Sequence, residues 1–166
     1  SSGHADFYIR DIETDSSGNI YAAGAFLGLL TIEINGNNEN FESSSWDLFV
    51  LKINTNGDYI WFSTETSSDS SSFATSLVVS SNAEIYITGY FYASLTLGTL
   101  SLNGAGSTQG LVAKLSSTGE WLWANKISCS CTVESRSIGI DSNDEIYVTG
   151  WSNSGAITFG SNTINP

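Results

Sequence analysis

Cys129 and Cys131 stand two apart in "SCSCT" and are the two cysteines of the chain. On a regular strand both would point the same way, about 6.5–7 Å apart, which is awkward for a bridge. A metal site would want more ligands, and a redox motif would want two intervening residues. What remains is a strained local disulfide in a loop or a bond to another chain, and cystine of either kind fits an oxidising location. The single histidine, His4 in "SSGHADF", has no base or orienting partner at a recognisable spacing, so it reads as a loop residue. Neither a nucleophile–base pair nor a catalytic carboxylate pair is visible. The sequence therefore offers no catalytic residue, and the expectation is a protein that is not an enzyme.

Oxygen-rich turns are the next candidates: "DSSGN" at 15–19, "NTNGD" at 54–58 and "DSNDE" at 141–145. Calcium favours such oxygens, but none of the three fits the EF-hand loop, whose glycine and terminal glutamate would be misplaced here. Asp, Asn, Ser and Gly are also what tight turns require. Two readings stand: plain turns, or a weak calcium site with Asp141, Asp144 and Glu145 as ligands. No other cofactor is implied. Tyr59, Trp61, Trp121 and Trp123 alternate along their segments and are expected to share a face. Such a face stacks on sugar rings, a lectin-like reading, or packs against a neighbouring layer.

Composition narrows the partners. The 166 residues carry 5 Lys+Arg against 17 Asp+Glu, a net charge of −12. So acidic a surface repels phosphate backbones and anionic lipid, which argues against nucleic-acid and membrane-surface roles. No apolar run approaches the roughly eighteen residues of a membrane-spanning helix, so membrane insertion is not expected. Charged residues are only 13% of the chain, leaving solubility to Ser, Thr, Asn and Gly as in many secreted proteins. No signal peptide is visible and no Met is present, so the chain reads as processed or as a piece of something longer.

The elements that must position these residues are strands. Helical periodicity is nearly absent, while short alternating runs recur. "NIYAAG" (19–24), "EIYITG" (84–89) and "EIYVTG" (145–150) each follow a polar turn: "DSSG", "SSNA" and "DSND". Alternation predicts burial of Ile20, Ile85, Ile87, Ile146 and Val148. A second unit, "DLFVLKINTNGDYIWF" (47–62), recurs as "QGLVAKLSSTGEWLWA" (109–124), matching Lys52 to Lys114 and Trp61 to Trp123. Each copy reads as a β-hairpin. The chain is therefore expected to be a single all-β repeat domain of antiparallel four-stranded blades: blade one about 5–66, blade two about 67–127, and an incomplete third about 128–166. The "IY-x-x-G" segment is expected to be each blade's inner strand, with two apolar faces and little bulk at its end.

"DSSGNIYAAG", "DLFVLKINTNGDYIWF" and "DSNDEIYVTGW" resemble the tandem "seven-bladed β-propeller" repeat of secreted and surface proteins. That resemblance covers essentially the whole chain. It implies a propeller-like fold at an extracellular or cell-surface location, and no particular reaction or ligand. Fewer than three repeats are too few to close a ring built from 4–8 blades.

An incomplete third blade leaves an open edge, and open edges recruit strands. Gly98 precedes Leu111 by 13 positions, and Gly160 would precede Phe7 of a following copy by the same 13 (6 to Pro166, then 7). "DFYIRDI" also resembles "DLFVLKI" in apolar pattern. Phe7, Tyr8, Ile9 and Ile12 are thus expected to form an assembly strand, and Ile157, Phe159 and Ile164 the acceptor edge. The expected partner is another copy, head to tail, giving a filament or ring; the other reading of the same join is an ordinary peptide bond within a longer covalent array. The alternative is a carbohydrate-binding module whose partners are glycans.

Overall fold

The computed structural model of the chain describes residues 5–34, 36–66 and 70–164. His4 lies outside them. The described residues form strands without helix. Strands β1 (Asp6–Thr14), β2 (Ile20–Ile34), β3 (Asn37–Ile53) and β4 (Tyr59–Thr64) make one antiparallel sheet in chain order. Strands β5 (Ser72–Val79), β6 (Ile85–Leu97), β7 (Leu100–Leu115) and β8 (Trp121–Ser128) repeat that order. A third sheet has only β9 (Val133–Ile140) and β10 (Ile146–Ser152). The short strands β11 (Ile157–Phe159) and β12 (Asn162–Ile164) form a hairpin on the edge of the second sheet, where Thr158 pairs with Ser128 and Phe159 with Ile127. No sheet closes into a barrel, and the whole is the all-β, blade-like repeat that the sequence implied.

Short polar side chains shape the turns between strands. The Asp15 carboxylate accepts the Ser17 and Asn19 N–H groups at 2.9 and 3.0 Å, and Asn54 does the same for Asn56 and Asp58 at 2.9 Å. Asp141 accepts from Asn143 and Glu145 at 2.8 and 2.9 Å. This is the Asx-turn logic by which Asp and Asn replace a backbone acceptor.

The glycine closing each "IY-x-x-G" has a steric reason. A Cβ on Gly24 would stand 1.8 Å from the Tyr8 carbonyl oxygen, one on Gly89 1.9 Å from that of Phe73, and one on Gly150 2.3 Å from that of Glu134. At each place the first strand of the sheet carries a β-bulge, between Ile9 and Asp11, between Ala74 and Ser76, and beside Ser135. The bulge pushes backbone into the space a side chain would need. One expectation is corrected: β2 and β6 are each held between the first and the third strand of their sheet rather than being the inner one, and β10 pairs only with β9 among the described residues.

Packing runs from sheet to sheet. Tyr21, Ala23, Leu48 and Val50 of the first sheet share one cluster with Leu77, Ile85, Ile87, Leu111 and Leu115 of the second. Val78, Tyr86 and Val112, on the second sheet's other side, meet Ile138, Ile140, Ile146 and Val148 of the third. Ile85 and Ile87 are fully buried, each worth about 1.5–3 kcal/mol. Ile20, Ile146 and Val148 are only half-buried: the first sheet lies at one end of the stack, and Ile146 and Val148, although packed toward the second sheet, lie on a strand that pairs only with β9 among the described residues.

The aromatic face predicted from alternation does not form. Register shifts at Ile60 and Leu122 insert an extra residue, so alternate positions turn to opposite sides. Trp61 and Trp121 join the cluster between the first two sheets, Trp123 joins the one between the second and third, and Tyr59 lies on the far side of the first.

Candidate functional site

The stack ends in two unlike faces. On β2, β6 and β10 the same tyrosine points toward the following sheet: Tyr21 is 0% exposed, Tyr86 8% and Tyr147 57%. On β1, β5 and β9 the equivalent apolar residue points toward the preceding sheet: Ile12 is 62% exposed, Leu77 1% and Ile138 6%. Each end thus displays one half of an interface that the molecule completes twice internally. On the first-sheet end, Phe26, Phe49 and Phe62 are buried beneath a cluster with Leu30, Ile32, Phe41, Leu51 and Tyr59. A groove of about 670 Å³ runs over it, with Glu33 and Asp58 among its lining. Burial, with the Glu39 carboxylate 3.0 Å away, pushes the Tyr59 hydroxyl up to about 12.

Polar contacts repeat from sheet to sheet as well. The Asp11 carboxylate accepts the Ser76 hydroxyl at 2.8 Å and the Leu77 N–H at 2.9 Å. One repeat later, the Ser76 hydroxyl accepts the Ile138 N–H at 3.4 Å. At the first-sheet end the Ile12 N–H turns to its own neighbour, Asp11 Oδ1, at 3.0 Å. These residues were not singled out from sequence, although a signal exists: Asp11, Ser76 and Ser137 each precede the motif glycine by 13 positions (24 − 11, 89 − 76, 150 − 137).

Lysine sits over each enclosed tyrosine. Lys52 Nζ is 4.9 Å from the Tyr21 ring centroid and Lys114 Nζ is 5.0 Å from that of Tyr86. Lys114 is also 2.7 Å from the Glu84 carboxylate, and this hydrogen bond, against a smaller effect of burial, raises its pKa. Tyr147 lacks such a lysine among the described residues. Instead its hydroxyl lies 3.4 Å from both Asp141 and Glu145. The nearby Asp141 charge is the main reason its pKa is raised.

Asp141, Asp144 and Glu145 lie together at the β9–β10 turn. Asp141 is engaged by backbone N–H groups, chiefly that of Glu145 and then Asn143, which lower its pKa. Asp144 takes the positive-φ position, at 59°, that Gly18 fills at 79° in the first turn. No group of three His, Cys, Asp or Glu arranged to hold a metal occurs among the described residues. Cys129 and Cys131 are joined to each other in the loop between β8 and β9, with Cα atoms 4.9 Å apart. The bend of that loop brings them closer than a regular strand would.

Phe7, Tyr8, Ile9 and Ile12 fall on β1, which pairs with β2 of its own chain from Asp6↔Leu27 to Thr14↔Ile20. Phe7 stacks on Phe49 at 4.4 Å, and Tyr8 meets Trp46 at 5.0 Å. All four are exposed, Phe7 and Tyr8 on opposite faces of the sheet, and the outer edge of β1 pairs with no described strand. Ile157, Phe159 and Ile164 lie on the β11–β12 hairpin, with Phe159 and Ile164 exposed. The structure does not bring the two sets together.

Comparison with known proteins agrees with this architecture. A family model described as Beta-propeller repeat matches residues 132–156, which hold β9 and β10. The chain is similar to an uncharacterized WD repeat-containing protein of Acanthamoeba polyphaga mimivirus, 26% identical over 176 aligned positions. That alignment covers 89% of this chain and 13% of the viral protein. Repeated four-stranded sheets and these two matches support a propeller-type repeat protein.

Proposed function

We propose that this chain is an extracellular structural module whose copies associate head to tail, the third-sheet face of one against the first-sheet face of the next. The observation that supports the reading is the exposure pattern of the equivalent positions Tyr21, Tyr86 and Tyr147, and of Ile12, Leu77 and Ile138. What is buried at both internal interfaces is open at opposite ends. Such a contact is heterologous, so it grows a filament or closes into a ring according to the rotation per copy. Donation of β1 to a neighbouring copy is a variant of the same association, in which β1 must leave β2 or use its outer edge.

Sedimentation velocity over a wide concentration range tests the proposal. The expected result is a sedimentation coefficient that rises with concentration in the absence of any ligand. A single monomer boundary at every concentration would overturn it. A second reading, glycan binding, is favoured by Tyr147 and Trp151, both exposed at alternate positions on one face of β10. Saturable binding on a glycan array, lost in Trp151→Ala, would support that reading instead.

A further inference from the structure

Where the first sheet meets the second, two acids are buried against each other. Asp47 on β3 and Glu65, just past β4, are 5% and 3% exposed, and their carboxyl groups share a hydrogen bond. The Ser72 hydroxyl of β5 donates to Glu65 and accepts the Leu48 N–H of β3 at 2.9 Å. The Ser45 hydroxyl donates to the Ser70 carbonyl at 2.9 Å and lies 3.4 Å from Asp47. Ser70 in turn donates to the Ser94 carbonyl of β6. The acid pair is thus tied into the hydrogen bonds that join one sheet to the next.

No counter-ion accompanies the pair among the described residues. The chain has 5 Lys+Arg, and each is engaged elsewhere. Arg10 lies over the Tyr8 ring, Lys52 over Tyr21, Lys114 against Glu84, Lys126 on the Asn103 carbonyl and Arg136 against Glu134. The groups that act on Asp47 are Ser43 and Ser45 of β3 and Glu65, with Ser72 of β5 behind Glu65. Burial raises the Asp47 pKa above the usual carboxylate value, against weaker opposing hydrogen bonds from those three residues. Two carboxyl groups in contact, out of water and without a cation, resist ionising together, so the stable pair holds one proton.

The next junction is built without a proton that can leave. Asp47 pairs in register with Phe26 and Gln109 with Phe91, so Gln109 holds the Asp47 position one sheet on. Its amide accepts the Cys129 N–H and donates to the Cys129 carbonyl, both at 3.2 Å, and donates to the Ser107 hydroxyl at 2.6 Å. An amide offers a donor and an acceptor at every pH, whereas an acid pair does so only while it keeps its proton. We infer that Asp47 and Glu65 form a proton-operated latch between the first two sheets, closed while the pair holds a proton and loosened when both ionise. The Gln109 junction does not respond. Because the folded-state value is raised, the contribution of the latch is complete below the ordinary carboxyl range and is lost as pH rises through the folded value. Neither end of the stack, nor association between copies, enters this inference.

Amide hydrogen exchange on the intact chain tests the latch. It is read by NMR at the Leu48 N–H, held by Ser72, with the Cys129 N–H, held by Gln109, as internal reference. The ratio of the two cancels the pH dependence of intrinsic exchange. From about pH 4 to about pH 8 the protection of Leu48 is expected to fall relative to that of Cys129, by up to about tenfold per pH unit, the slope set by one proton. Asp47→Asn, which puts an amide where the next sheet has one, is expected to hold the ratio constant. Glu65→Gln gives Asp47 a donor at every pH and is expected to flatten the ratio too, so a failure of one variant to fold leaves the other. A ratio constant with pH in the parent, or a slope that survives in either folded variant, would overturn the inference.

Discussion

Gly89 and Gly139 are both strand glycines, and the residue scale separates them. Gly89 faces a carbonyl 1.9 Å from where its Cβ would stand, and that oxygen belongs to the backbone of a bulged strand. Gly139 has nothing within 4 Å of a Cβ. Gly89→Ala is therefore expected to cost roughly 3 kcal/mol or more, since β5 must move off β6. Gly139→Ala is expected to stay within about 0.5 kcal/mol of the parent, and relief of glycine's backbone entropy even favours it. Urea denaturation of both variants checks the pair. Equal losses would mean that the bulge yields and that the glycine is there for another reason. The same scale explains Asp144, which stands where a glycine would be easier: Asp is among the side chains that tolerate a left-handed turn.

Elements carry the contacts between sheets. Asp11 lies on β1, yet its carboxylate bonds the Ser76 hydroxyl and the Leu77 N–H of β5. Asp11→Ala leaves a buried N–H without its acceptor, at a cost of about 1–3 kcal/mol, while Asp11→Asn keeps an acceptor oxygen and is expected to lose less. The urea midpoints should rank parent, Asn, Ala, and an Ala variant as stable as the parent would remove β1 from the interface. Strand identity and the three tyrosine-bearing repeats were legible in the sequence because alternation and turn residues are local signals. The bulges were not, since an extra residue leaves composition unchanged while reversing the side to which everything beyond it points. That is how Tyr59 and Trp61 came apart and how the expected shared aromatic face dissolved. The placement of β11–β12 on β8 was hidden for a related reason: pairing between distant strands depends on which edge is free, not on residue type.

At the largest scale, the described residues form a short stack of sheets with unlike faces at its two ends. Its first-sheet face offers Ile12 over the Phe26, Phe49 and Phe62 cluster, and its third-sheet face offers Tyr147 and Trp151. Head-to-tail association demands that a copy with one ruined end still use the other. Ile12→Glu spoils only the first face, and Tyr147→Glu only the third. The most direct measurement is sedimentation velocity on each variant alone and on an equimolar mixture. Each variant alone is expected to remain monomeric, because every contact it could make needs its ruined end. The mixture is expected to form dimers and nothing larger, joining the sound third face of the Ile12→Glu copy to the sound first face of the Tyr147→Glu copy. Dimers in either variant alone, or a mixture that stays monomeric while the parent associates, would contradict the account.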